Sequence, residues 1–244
     1  MSSNIRCAVL RFLIILLFLA AAPVVSVSCA ASGIDVRPSA PGIEPIRLPP
    51  PELQGGMPLM EALKIRKSSR SFSKERLPPQ VLSNLLWAAF GVNRPETGGR
   101  TAPSAMNWQE IDIYAAMQEG LYRYNASGNL LEPVLAKDIR SQTGGFGQSA
   151  VGQSFVKHVP VNLIYVADFS RTGVTGKVVS PEAKLIYAAA STGCISQNVY
   201  LFCASAGLAT VVRGYFNPTE LAKEMGLADN QRIILVQPVG YPKK

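Results

Sequence analysis

The sequence predicts an α+β fold, a layered sandwich in which helices flank a central mixed or antiparallel sheet. Three observations carry that expectation: apolar residues at helical spacing in 79–90, a hairpin signature around 125–128, and one long, almost uncharged segment at 181–206. The chain has 244 residues, 48% of them hydrophobic and 16% charged, which suffices for a core and argues against disorder.

Residues 59–67 and 79–90 read as helices, the second because Leu82, Leu85, Leu86 and Ala89 recur on one face. Residues 111–117 read as a strand. Leu121-Tyr-Arg-Tyr124 and Leu130-Leu131 flank Asn125-Ala-Ser-Gly128, two strands and their turn. The same Asn125-Ala126-Ser127 also fits a glycosylation sequon. Residues 161–167 form a buried strand by their Val, Ile and Tyr content. Pro181 suits a first helical turn, and from there to Ala206 only Glu182 and Lys184 are charged. Ser191, Thr192, Ser196, Gln197 and Asn198 at the middle favour a buried central helix over a membrane span. A strand at 208–212, a helix at 218–225 and a strand at 232–236 complete the domain.

The N-terminus reads as an export signal. Arg6 and Arg11 precede an uncharged apolar run at 12–22, closed by Pro23, which is shorter than the ~20 residues that cross a bilayer. Ser26-Val-Ser-Cys29 resembles a lipoprotein box, with cleavage by an ordinary signal peptidase near Ser28 to Ala31 as the alternative. Residues 35–56 contain six prolines and read as an extended tether. The expected organisation is a signal peptide at 1–29, a Pro-rich linker at 30–56 and one folded domain at 57–244. The mature protein is expected outside the cytoplasm, periplasmic or held at the envelope through Cys29.

Lys and Arg total 24 against 16 acids, a formal charge of +8 without long basic runs. That balance favours small anionic ligands and argues against nucleic acid as a partner. His158 is the single histidine, so a multi-histidine metal site is excluded. Cys194 and Cys203 stand ~13.5 Å apart along one helix, beyond the ~4.4–6.8 Å that a disulfide spans, and read as free thiols.

Three segments carry chemistry. Arg66-Lys-Ser68-Ser-Arg70 places two guanidinium groups and a hydroxyl at a helix end, which suits a phosphate. Pro103-Ser104-Ala105-Met-Asn107-Trp-Gln109 joins a turn to two amide side chains that can read the edge of a polar heterocycle. Gly207 to Gly214, with Arg213, offers backbone that a flat ligand can approach closely. Gly145-Phe-Gly147 follows no strand and is discounted as a dinucleotide loop.

The order and spacing of these segments resemble the nitroreductase family of flavin enzymes, and Pro238-Val-Gly-Tyr-Pro242 matches its closing motif. Leu86-Trp-Ala-Ala-Phe-Gly91 and Gln197-Asn198 look most like its branch of peptide-oxidising dehydrogenases. The resemblance implies a nitroreductase-like sandwich, homodimeric, with FMN at the subunit interface and NAD(P)H as a candidate electron donor. It implies that Arg66, Ser68 and Arg70 hold the phosphate. Pro103, Ser104, Ala105 and Asn107 would border the ribityl chain and ring from the partner subunit. Arg213 and Gly214 would bring backbone amides to the reactive ring nitrogen, and no metal takes part. Arg213 departs from the Glu common in the family, and the basic residues usual well beyond Gly-Tyr-Pro are missing, so that either Lys243 and Lys244 replace them or the N-terminal arginines hold the phosphate alone. Two functional classes follow: an exported oxidoreductase moving two electrons by a ping-pong cycle to a small-molecule or peptide substrate, or a non-catalytic FMN-holding module.

Overall fold

The computed structural model describes residues 42–145 and 154–244. The expected signal peptide, Cys29, the first part of the linker and most of the 145–150 loop lie outside the described residues.

The elements run β1 (Ile46–Arg47), α1 (Leu59–Ile65), α2 (Pro79–Phe90), β2 (Val92–Arg94), β3 (Gly99–Arg100), β4 (Ile111–Ala116), β5 (Leu121–Asn125), β6 (Leu130–Leu135), β7 (Val161–Asp168), α3 (Pro181–Ser205), β8 (Ala209–Thr210), α4 (Pro218–Glu224) and β9 (Gln231–Gly240). Seven strands form one sheet in the order β1-β6-β5-β4-β7-β9-β8, and β2 and β3 make a separate pair. Every pairing is antiparallel, which resolves the expected mixed-or-antiparallel choice.

Every residue of β4 and β7 is buried, because both faces of the sheet are covered. Ile111, Ile113, Leu163 and Tyr165 pack with Leu85 and Leu86 of α2 and with Ile195 and Val199 of α3. On the opposite face Tyr114, Ala116, Ile164 and Val166 meet Leu221 of α4, with Phe216 and Met225 beside it. The period-two alternation of the strands sends neighbouring residues to opposite layers.

The central helix α3 departs from expectation. It starts at Pro181 with Ser180 capping the amide of Ala183, and stops where Gly207 takes a φ of +68°. Gly207 therefore ends a helix and does not follow a strand. Ala188, Ile195, Val199 and Cys203 are buried, but Ile186 is 66% exposed and Ala189, Ala190, Gly193 and Cys194 face outward. Among the described residues only one side of α3 is covered. None of the helices among the described residues is long and apolar enough to cross a membrane.

The end of the proline-rich segment is docked on the domain. Ile46 and Arg47 pair with Leu131 and Leu130, Leu48 is buried, and Asn129 donates to the Pro49 carbonyl at 2.7 Å. Ser83 of α2 holds the same carbonyl at 2.5 Å, and Gln80 holds that of Pro50. Proline lacks an amide donor but keeps its acceptor, and the domain grips this stretch by those carbonyls.

Candidate functional site

The chain leaves α1 at Arg66 and turns extended, so Arg66, Ser68 and Arg70 alternate with Lys67, Ser69 and Ser71. Main-chain bonds fix the run: Ser69 donates to Thr210 O at 2.9 Å and Ser73 to Tyr241 O at 2.8 Å. Tyr200 of α3 organises one side. Its hydroxyl accepts from the Val212 amide at 2.9 Å and shares a 2.8 Å hydrogen bond with Ser68, while Arg66 lies 5.2 Å over its ring. Lys67, Ser69 and Ser71 line a cavity of about 410 Å³ with Tyr200, Gly207 and Lys243. A larger cavity of about 930 Å³ adjoins it, sharing Gly207, Pro242 and Lys243 and adding Phe72, Phe155 and His158.

Arg213 is buried in the same region. Its guanidinium donates to the carbonyls of Thr143 at 2.8 Å and Tyr215 at 3.2 Å, and lies over Phe155, which stacks on Phe72. Burial, and then the like charge of Arg70, bring this guanidinium down to about 10. Among the described residues none of Arg66, Lys67, Arg70, Arg213 or Lys243 has a carboxylate in ion-pair range. A group of cations without a carboxylate partner, one of them held by two backbone carbonyls, favours an anion arriving from solution.

The Arg213 amide cannot serve the role the resemblance implies. It donates to Val236 O at 2.8 Å, and the Arg213 carbonyl accepts from Val236 at 2.9 Å. This leaves the neighbouring Gly214 as the open position, where an added Cβ would meet only Leu235, at 3.5 Å.

The Pro103–Gln109 stretch is held in an unusual backbone. Met106, Asn107 and Gln109 all have φ near +50°, a region that side chains other than glycine rarely adopt. Ser104 accepts from the Gln109 amide at 2.9 Å. Gln109 is not available for a ligand, in contrast to its expected role: its Oε1 accepts from Arg100, and its Nε2 donates to Gly98 O and to Asn107 Oδ1. Pro103 and Asn107 are exposed, and Ser104 and Ala105 are half-buried.

The two groups do not meet within one chain. Asn198 reaches Thr101 O at 3.3 Å, whereas Tyr200 reaches Ser68. Two residues of helix are ~200° of rotation, so these contacts leave α3 on opposite sides. Sequence reasoning missed Tyr200, Phe72 and Phe155: Tyr200 reads as core packing in its apolar helix, and Phe72 and Phe155, single aromatics among mostly polar residues, belong to no motif.

Comparison with known proteins shows the family. A family model described as the nitroreductase family matches residues 63–241. A solved chain from Ralstonia eutropha JMP134, named a nitroreductase, is 42% identical, with a TM-score of 0.75 over 85% of this chain and 94% of its own. A chain from Methanocaldococcus jannaschii that also carries the name nitroreductase is 29% identical over 188 residues, 75% of this chain and 90% of that protein. The Escherichia coli microcin synthetase complex contains a chain of similar fold at 18% identity, with a TM-score of 0.58 over 79% of this chain and 76% of its own. That likeness shows the fold alone.

Proposed function

Since the chain belongs to the nitroreductase family, we propose that it is an exported, FMN-dependent oxidoreductase working as a homodimer. The observation that carries this reading is the carboxylate-free cation group around Tyr200, built from the residues that the family motif requires. FMN fits it on two counts. Its phosphate supplies the missing anion, and Gly214 leaves open backbone where a flat ring can lie. When bound, FMN supplies two-electron hydride chemistry.

The chain's own residues then have defined tasks. Arg66 and Ser68 bind the phosphate, their positions set by Tyr200, and Arg70 adds charge from the surface. Arg213 places a fixed cation near the ring and opposes the loss of an anion there. A second copy supplies the Pro103, Ser104, Ala105 and Asn107 stretch, which a single chain leaves on the far side of α3. The bare face of that helix supports the same assembly, with Ile186 and the small residues Ala189, Ala190 and Gly193 ready for close contact.

NAD(P)H is proposed as donor in a ping-pong cycle, and the acceptor is a small molecule or a peptide. The peptide-oxidising branch rests on the Leu86–Gly91 and Gln197-Asn198 resemblance; the solved relative at 42% identity is named only a nitroreductase. Export rests on Arg11 and the 12–22 run.

Purified protein is expected to be yellow, dimeric by light scattering, bleached by NAD(P)H and recoloured by an acceptor. Flavin that binds but fails to cycle with any donor would favour a holding module. A stable flavin-bound monomer would overturn the shared site. In the native host the protein should fractionate with the envelope or periplasm, and loss of membrane attachment in Cys29→Ser would establish the lipid anchor.

A further inference from the structure

A second polar cavity, of about 560 Å³, opens where β3, β4, β5 and β6 approach the Pro103–Gln109 stretch. It holds three arginines and two acids. Arg171 is paired with Asp112 at 2.6 Å and Arg123 with Glu132 at 2.7 Å. Both acids are thereby spent, and Arg100 is left over.

Arg100 is held entirely by neutral groups. Its Nε donates to Gln109 Oε1 at 2.8 Å, its Nη1 to Phe90 O at 3.2 Å, and the guanidinium lies 5.2 Å over the Phe90 ring. Nη2 takes no part in these bonds. Burial brings the Arg100 guanidinium below its ordinary value; of the neighbouring groups Tyr124 and Asp112 work to raise it and Arg171 to lower it, and burial prevails. A guanidinium in a cavity, fixed in orientation and short of one negative charge, is matched to a carboxylate. Trp108 and Tyr124 line the same space and provide flat apolar walls for the body of such a ligand. Burial pushes the Tyr124 hydroxyl up to about 12, so it stays protonated and adds no negative charge.

We propose that this cavity binds a small aromatic carboxylate through Arg100. The site lies apart from the Arg66, Tyr200 and Arg213 group and borders the Pro103–Gln109 stretch only through Trp108 and Gln109. Binding there has a route to the ring segment. Gln109 bonds Arg100 by its side chain and Arg171 by its carbonyl, and also holds Ser104 and Asn107. A carboxylate that draws on Arg100 competes with Gln109, and so bears on the strained backbone at 106–109.

Calorimetric titration of the purified protein with sodium benzoate tests this, with benzamide as the neutral isostere. Benzoate should bind saturably below about 10 mM and at least about tenfold more tightly than benzamide. Arg100→Gln should weaken benzoate by about tenfold or more. Ser127→Asp, in the exposed turn that lines the cavity, should do the same without touching the core, and decides the matter if the arginine variant misfolds. Arg70→Ala should leave benzoate binding unchanged. Equal binding of benzoate and benzamide, no saturation, full affinity in Ser127→Asp, or loss of binding in Arg70→Ala would each overturn the proposal.

Discussion

Arg213 lies 5.7 Å over the ring of Phe155, with two backbone carbonyls as its acceptors and, among the described residues, no carboxylate in ion-pair range. Its two charge-assisted hydrogen bonds hold a guanidinium that burial and the like charge of Arg70 otherwise disfavour, at a position where the family resemblance implies a Glu. Arg213→Gln is therefore expected to lower folding stability by about 2–3 kcal/mol, because hydrogen bonds from a charged donor are lost. In the FMN-loaded protein its reduction potential should fall relative to wild type, as a cation near the ring is removed. Arg213→Glu should lower both further, since a carboxylate would face two carbonyls. Denaturant titration and a redox titration read the two effects separately. An unchanged potential would place Arg213 away from the ring.

Tyr200→Phe keeps the ring under Arg66 but removes the oxygen shared by Ser68 and Val212. It should cost about 1 kcal/mol of stability and weaken FMN several-fold, with riboflavin affinity nearly unchanged. Arg66→Ala should weaken FMN about 30-fold or more by the same comparison. Equal losses for FMN and riboflavin would show that these residues do not meet the phosphate.

Both carboxylate oxygens of Glu110 are buried without a hydrogen-bond partner. Such a group costs more than an apolar chain of its size, so Glu110→Met should raise stability by about 1–3 kcal/mol. Thermal denaturation at neutral pH measures this. A lower Tm would mean that Glu110 is met by a group outside the single chain.

Acid should loosen the Arg213 region from a distance. Burial works to raise Asp138, but the hydrogen bonds from Arg140 outweigh it and hold its carboxyl below the ordinary value. A depressed carboxyl contributes stability that is full above its unfolded value, ~3.9, and is lost as pH falls through the folded one. Arg140 O accepts from Thr143, whose own carbonyl accepts from Arg213. Wild type should thus lose stability more steeply below about pH 4 than Asp138→Asn does. Parallel slopes would show that this clamp does not matter.

Much of the fold was legible because its elements obey one signal each. The helix 79–90 was bounded by proline and glycine and matches α2 residue for residue. Strand β9 runs past the expected end at 236 as far as Gly240. Pro238, which has no amide to donate, sits opposite Asn162 and offers its carbonyl to Thr210 Oγ1. The proposed phosphate motif was legible as a spacing. Its support by Tyr200 was not, since that contact joins residues 132 positions apart. The role given to the Arg213 amide failed for a related reason: the sequence does not show that Val236 already occupies it.

Both margins of the seven-stranded sheet are dipeptides, Ile46–Arg47 on one side and Ala209–Thr210 on the other. An uncovered margin would offer a free row of amides and carbonyls to any passing extended chain. Two residues give such a chain almost nothing to copy. Trimming the protein at Gly56, as the proline-rich stretch invites, would strip the Ile46–Arg47 cover from β6 and bare Leu131 beneath it. A shortened protein of that kind should self-associate into β-rich aggregates on mild heating, while one beginning at Gly42 should not.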